Sequence, residues 1–558
     1  MTDDAGVIAL VSAQRLARDT AEIAKFVRHA GTADEVASFD YIESELRAMS
    51  LDVARYSCHT LISLPGPASL AVTSPAALQL TCITHSMGVA TGAAGIEAEV
   101  VYVGAGKEGD FAGADVAGKI ALIDGMCGAG PVVRAEARGC FAQIFVNDDH
   151  LHQGIVSRIY GSPNEQTAGA LPRSAVASVV HADGERIKAL LADGSVRLRL
   201  VTQVETRWTD IPLVTADVRP AGADDGSYVF FGSHVDSWDY GAIDNAAGNA
   251  CLLEVARCMT AVRSQIRRGA RFLFWSGHSH GRYAGSCWYV DNFWQDLYDH
   301  AVAGMAIDSP GSVGASNASL GGAKVMDELV DLAVGATRAA TGATGARPSR
   351  PAGGEQPLWR VGVPSLNPAR LRQTPGSEYS LRFTPAASWW HHTVEDTIDK
   401  LDPEVLKIDT QIYVLALWQM IHPDVLPFDY AALGQAIIDH LVKLPESIDF
   451  AVAITAAEQF RAAVPTLAAA TPAAANNALR LIGRHLVPVL YTMQGQFEPD
   501  PIDDMGFLPG LRAAHRLAAL PADSMAANTI LVSLVRQRNR LVFALQQASA
   551  EIAAATRG

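Results

Sequence analysis

The chain has 558 residues, 49% hydrophobic and 18% charged, which is enough apolar surface for a compact fold and too much length for one core, so three or so domains are expected. Its 44 basic and 59 acidic side chains give a net charge of -15, and no basic run offsets it, which excludes nucleic acid as a partner. The first residues lack the basic end and apolar core of a signal peptide, no window reaches the roughly 18 to 20 apolar residues that span a bilayer, and seven cysteines form no C-x-x-C pair; the expectation is a cytoplasmic protein with reduced thiols and no membrane contact.

Residues 14–51 read as two helices, with Leu16, Ile23 and Phe26 spaced for one face and Ile42, Leu46 and Met49 for the next, so residues 1–59 are expected to pack on the main domain. Residues 60–209 change to short β-rich runs broken by glycine and proline (AEVVYVG, GKIALIDG, FAQIFVND, ASVVHAD, VRLRLVTQV), the pattern of a separate β-rich domain. From 210 to 425 the apolar strands YVFFGS, RFLFWSG and AGMAID alternate with helical stretches, predicting a three-layer α/β/α sheet with its site beyond the carboxyl ends of the strands. Residues 426–558 are helical, and Ile530, Leu531, Leu534, Val535, Leu541, Val542 and Leu545 recur at helical spacing.

Four segments at strand ends carry groups that can bind metal or move protons. In FFGSHVDSWDYGAIDNAAGN a strand ends in His234 and Asp236, and Asp244 opens the following helix; His234 and Asp244 can converge on a cation with Asp236 orienting the imidazole, although Asp244 also reads as a helix N-cap. RFLFWSGHSHGRYAGS ends a second strand in His278 and His280, which share one face if the chain stays extended. AGMAIDSPGS brings out Asp308, and SWWHHTVEDTIDKLDPE offers His391 and His392 before an acidic helix start; Trp389 and Trp390 read as core or pocket wall.

In this order the four segments resemble the two-zinc aminopeptidase family, including its glutamate carboxypeptidase and transferrin receptor branch. GSHVDSW...GAIDNAAGNACLLEVAR is similar to the family's strand, bridging-aspartate loop and helix, and WWHHTVEDTIDKLD to its closing histidine motif. The resemblance implies that His234 and Asp308 hold one zinc ion, that Asp244 bridges, and that His280 and His392 complete a second site. One or two ions are expected, and another divalent transition metal is open because histidine suits zinc, iron, copper and nickel. Where the family has two successive glutamates, a general base and a ligand, this chain has Ser279 and His280. Serine cannot accept a proton from the attacking water as a carboxylate does, and two ligand carboxylates in place of three leave the shell about one charge more positive, which favours anionic substrates.

His278 and Glu355, in GGEQPLWRVGVPSL, are the candidates to replace the lost base, a structural hydrogen bond being the alternative for His278. Arg282 and Tyr283 are candidates to clamp a carboxylate or stabilise an oxyanion, an arginine without a specific contact being the alternative. Residues 95–205, including DFAGADVAGKIALIDG, resemble the protease-associated domain of these enzymes, and the helical tail resembles their dimerisation domain, which implies a homodimer. The expected function is metal-dependent hydrolysis of an amide or peptide-like bond in a small, anionic substrate; a lyase, cyclase or isomerase on the same metals, and a non-catalytic binding protein, are the alternatives.

Overall fold

The computed structural model describes residues 3–319, 322–341, 345–346, 356–366, 370–445, 448–501, 506–517 and 519–557. Its central feature is a 12-stranded sheet. Within residues 52–218 lie β1 (Asp52–Ser74), β2 (Leu78–Leu80), β3 (Cys82–Thr84), β4 (Ile96–Tyr102), β5 (Ile120–Asp124), β6 (Ala142–Val146), β7 (Ala175–Val179) and β8 (Arg197–Val218). Then follow β9 (Tyr228–His234), β10 (Gly269–Trp275), β11 (Ala301–Ile307) and a two-residue strand, Ser365–Leu366.

The α/β part is built on the order Ser365–Leu366, β11, β9, β10, β8, with the first four strands parallel and β8 antiparallel to β10. Every residue of β9 is buried, as a central parallel strand requires. The two-residue period sends Val229 and Phe231 into a core with the helices Ala13–Ile23, Gly248–Ala261 and Pro403–Ile421, and Tyr228 and Phe230 into a second core with Tyr289, Val290 and Leu297 on the opposite face. This is the three-layer arrangement expected. Gly232 is required within it, since a β-carbon there would stand 2.1 Å from the Trp275 ring.

β8 continues beyond the α/β sheet into the β-rich unit, where β4, β5, β6 and β7 run parallel in that order. β1 pairs with β8 along almost its whole length, so the two units share one long ribbon. The boundaries expected at 59/60 and 209/210 fall on facing rungs of it, His59 opposite Asp210 and Thr60 opposite Thr209. No turn residue marks the crossing because the chain does not turn there.

The four longest helices after residue 429 are Tyr430–Leu441, Ala451–Ala463, Pro472–Tyr491 and Met525–Ala555. Leu486, Leu490, Leu534, Leu541, Leu545 and Ile552 join the same apolar cluster as the helical face of the sheet. The buried Arg484 fixes this union by donating to the carbonyls of Tyr298, Gly362, Leu297 and Ala301. Among the described residues no helix is long and apolar enough to cross a membrane, and all seven cysteines are unpaired.

Candidate metal centre

β9 delivers His234, the residue after β11 is Asp308, and the loop 235–247 carries Asp244 between them. That loop is stapled from below by Arg28, a buried residue from the N-terminal region, which donates to the carbonyls of Val235 (2.8 Å), Tyr240 (2.7 Å) and Gly241 (2.9 Å). Asp396 then fixes the peptide of Asp244 by accepting from the N–H groups of Ile243 (3.0 Å) and Asp244 (2.9 Å). Asn245 ties the loop to the Asp308 strand end, donating to the Ile307 carbonyl at 3.0 Å and accepting from the Ser309 N–H at 3.1 Å.

These restraints turn the two oxygens of Asp244 toward different partners. Oδ1 lies 3.3 Å from His234 Nε2, which is itself 3.7 Å from Asp308 Oδ1. Oδ2 lies 3.1 Å from His392 Nε2 and 3.7 Å from His391 Nδ1. Two donor sets result, His234–Asp244–Asp308 and Asp244–His391–His392, in each of which the ligand atoms lie within 4.8 Å of one another. Charge-assisted hydrogen bonds would be shorter, about 2.7–2.9 Å, whereas ligands about 2.1 Å from a tetrahedral ion stand about 3.4 Å apart. The observed spacings fit the second geometry.

The outward-facing ring nitrogens agree. His234 Nδ1 is 2.9 Å from the Asp236 carbonyl and His392 Nδ1 is 3.0 Å from the Gln153 carbonyl, so each Nδ1 carries a proton and each Nε2 is the nitrogen left to face a cation, which would take the place of any proton there. His234 Nε2 is buried with no hydrogen-bond partner, an orphan that a cation would satisfy. The residues present therefore fit metal binding, in two donor sets that have Asp244 in common.

The electrostatics are those of a site built for positive charge. Burial pulls the His234 pKa down, but Asp244 and Asp308 outweigh it and hold the ring at about 10. Asp244 and Asp308 are held well below the carboxylate range against their burial, chiefly by His234 and, for Asp244, also by His392. Asp396 moves the other way, to about 7, through burial and the nearby Asp244. Burial and His392 press His391 down to about 3, so it is neutral and able to ligate.

Several expected residues are placed differently. His280 enters neither donor set: its fully buried ring has Nδ1 3.5 Å from Asp236 Oδ2 and packs edge-on against His29. The assumption of an extended chain fails because His278–Gly281 is a helical turn, in which residues two apart project about 200° apart. His391, the neighbour of His392, stands in the second set instead. Asp236 orients His234 through its backbone carbonyl, while its carboxylate accepts from the N–H groups of His278 (3.0 Å) and Ser279 (2.8 Å).

His278 stacks on His234 with centroids 3.9 Å apart, its Nδ1 buried without a partner. Arg282 is not a substrate clamp, since it donates to the carbonyls of Ser157 (3.0 Å) and Ile155 (2.5 Å) and so fastens the β-rich unit to the sheet domain. Tyr283 stacks on Tyr160 at 4.4 Å and meets His278 edge-on at 4.3 Å. Glu355 lies outside the described residues.

The structure adds two arginines. A small pocket opens beside Asp244 and His391 and is lined by Arg370, Arg372, Gln373 and Ser388. Arg370 donates to the Asp308 carbonyl, and Arg372 Nε is buried with no partner. The like charge of Arg370, with burial, lowers Arg372 to about 10, still a cation at neutral pH. The signal was present in R-L-R, whose alternate residues share a face of the strand Arg370–Arg372.

Residues 214–416 match the model of Peptidase family M28. Probable glutamate carboxypeptidase VP8 of Zea mays is 24% identical over 504 residues, covering 74% of this chain and 68% of that protein. Transferrin receptor protein 2 of Homo sapiens is 26% identical over 278 residues, 45% of this chain and 33% of the receptor, so the match spans about a third of the receptor's length. Among solved structures, an aminopeptidase from Aneurinibacillus sp. strain AM-1 superposes with a TM-score of 0.56 at 22% identity, covering 75% of this chain and 97% of its own. BSAP, a zinc aminopeptidase from Bacillus subtilis, does so with a TM-score of 0.54 at 21% identity, covering 75% and 98%. Both share the fold.

Proposed function

We propose that this chain, whose residues 214–416 match the model of Peptidase family M28, is a two-metal hydrolase of an amide or peptide-like bond in a small substrate carrying an anionic group. One observation carries the reading: the oxygens of Asp244 are divided between His234, beside Asp308, and the pair His391–His392. Zinc ions held there would polarise a carbonyl and make water a better nucleophile. Arg372, half-buried in the wall of the pocket beside His391, binds and orients the anionic group of the substrate, and Arg370 adds charge while bracing the Asp308 loop. His278 exchanges the proton through Nε2, since Nδ1 is enclosed; burial and His234 hold it at about 3, a weaker base than a carboxylate tuned near neutrality, so turnover is slow for such a site.

That weak base also favours a second reading. Among the described residues the donor sets contain no carboxylate beyond Asp244 and Asp308, so a lyase, cyclase or isomerase needing only a Lewis acid and a histidine is the alternative. A binding protein comes third, because the donor sets remain complete. Assaying zinc-loaded protein on N-acyl and aminoacyl amides, with acidic and neutral side chains compared, separates them. Zinc-dependent release of amine, faster for acidic substrates, supports hydrolysis, and inactivity of a fully loaded sample counts against it. A homodimer, on the likeness of the helical tail, a cytoplasmic setting, on the seven unpaired cysteines, and a protease-associated role for the β-rich unit, on the likeness of residues 95–205, complete the proposal.

A further inference from the structure

Adjacent residues rarely direct both side chains at one point, yet the rings of His391 and His392 stack 3.8 Å apart and both face Asp244 Oδ2. The peptide between them is held by the β-rich unit. His392 adopts φ 62°, a left-handed conformation that a β-carbon disfavours, so neighbouring contacts must hold it. Gln153 supplies two of them, donating its N–H to the His392 carbonyl at 2.8 Å and accepting from His392 Nδ1 at 3.0 Å. His152, fully buried, supplies the third with Nδ1 2.7 Å from the His391 carbonyl.

His152 is fixed in turn. Its Nε2 lies 2.8 Å from Asp148 Oδ1, and its N–H donates to Asn147 Oδ1 at 3.0 Å. Asn147 is anchored to the unit's core through the Gly125 carbonyl at 3.0 Å, just past the end of β6. His150 of the same segment stacks on Trp389 at 4.3 Å. The contact chain therefore runs from the core of the β-rich unit through Asp148 and His152 to the backbone that aims both imidazoles.

We propose that Asp148 and His152 are positioning residues that set the affinity of the second metal position by fixing the His391–His392 peptide. The inference rests on the two-ion reading above. It makes occupancy of the position between Asp244, His391 and His392 depend on how the β-rich unit is seated, while the position between His234, Asp244 and Asp308, braced by Arg28, Asp396 and Asn245, does not share that dependence.

The test is a zinc titration of the full chain against a chromophoric chelator, which resolves two binding constants and needs no substrate. His152→Ala should weaken the second constant about 10- to 100-fold, the usual effect of losing an outer-shell partner, and leave the first unchanged as an internal control. His152→Asn, whose amide nitrogen takes nearly the place of Nδ1 and can still donate to the His391 carbonyl, should recover part of the loss. An unchanged second constant in His152→Ala, equal weakening of both constants, or no recovery in His152→Asn would overturn the clamp. A wild-type chain that binds a single ion would instead overturn the two-ion reading, and the clamp with it.

Discussion

Replacing His391 with alanine tests the reassigned ligand directly. In the structure the second position has three donors: His391 Nδ1, His392 Nε2 and Asp244 Oδ2, the last on a carboxylate shared with His234. Truncating His391 leaves one unshared donor. Losing an outer-shell partner already costs about 10- to 100-fold in metal affinity, so losing a direct ligand should cost at least the upper end, about 2.7 kcal/mol or more. At a free zinc concentration that just saturates the wild-type chain, elemental analysis after gel filtration should find one zinc equivalent fewer in His391→Ala. His280→Ala is the matched control, because that ring reaches neither donor set; it should keep the wild-type stoichiometry even if it unfolds at lower temperature. Retention of both ions by His391→Ala, or loss of one by His280→Ala, would refute the ligand assignment.

Three further outcomes follow from other parts of the structure. Hydrogen bonds to charged groups contribute about 1.5–3 kcal/mol, so Arg372→Met should raise KM for acidic substrates about 10- to 100-fold in steady-state assays, with little change in kcat or in KM for neutral ones. Asp409 accepts from the Gly311 and Leu371 N–H groups, and burial lifts its pKa to about 7. Because the folded pKa lies above the unfolded one, the folded state holds the extra proton between about pH 4 and 7 and stability falls as pH rises there, by up to about 1.4 kcal/mol per unit; urea titrations across that range should show a shallower slope in Asp409→Asn. Arg282→Ala strips the donor from the carbonyl of the buried Ser157 and should cost about 1–3 kcal/mol, read as earlier unfolding in urea and faster proteolysis of the β-rich unit.

The sheet and its covering helices were legible because the continuous apolar runs YVFFGS, RFLFWSG and AGMAID, which suit strands buried on both faces, and the helical stretches between them are local properties that the fold preserves. His234 and Asp308 were legible because strand ends are local, whereas the helix starts expected at Asp244 and after His392 are a loop with non-helical backbone and a run of turns, so those two residues stood out through their motifs. What failed was register beyond a strand end: after Trp275 the chain enters a helical turn, which sends His280 to Asp236 and away from the donor sets. His391 was visible as half of a dihistidine, but its choice over His280 depends on a left-handed residue at 392 and on contacts from residues 147–153, more than two hundred positions away. Arg282 was misread for a similar reason, since its acceptors, the Ile155 and Ser157 carbonyls, belong to a different unit of the chain.

The central claim is that two ions share Asp244. Anomalous diffraction at the zinc edge, from crystals of protein purified without chelator and loaded with zinc, tests it without reference to any substrate. The account predicts two peaks flanking the Asp244 carboxylate, one against His234 and Asp308 and the other against His391 and His392. A peak bonded to His280, or no peak beside Asp244 at saturating zinc, would contradict it.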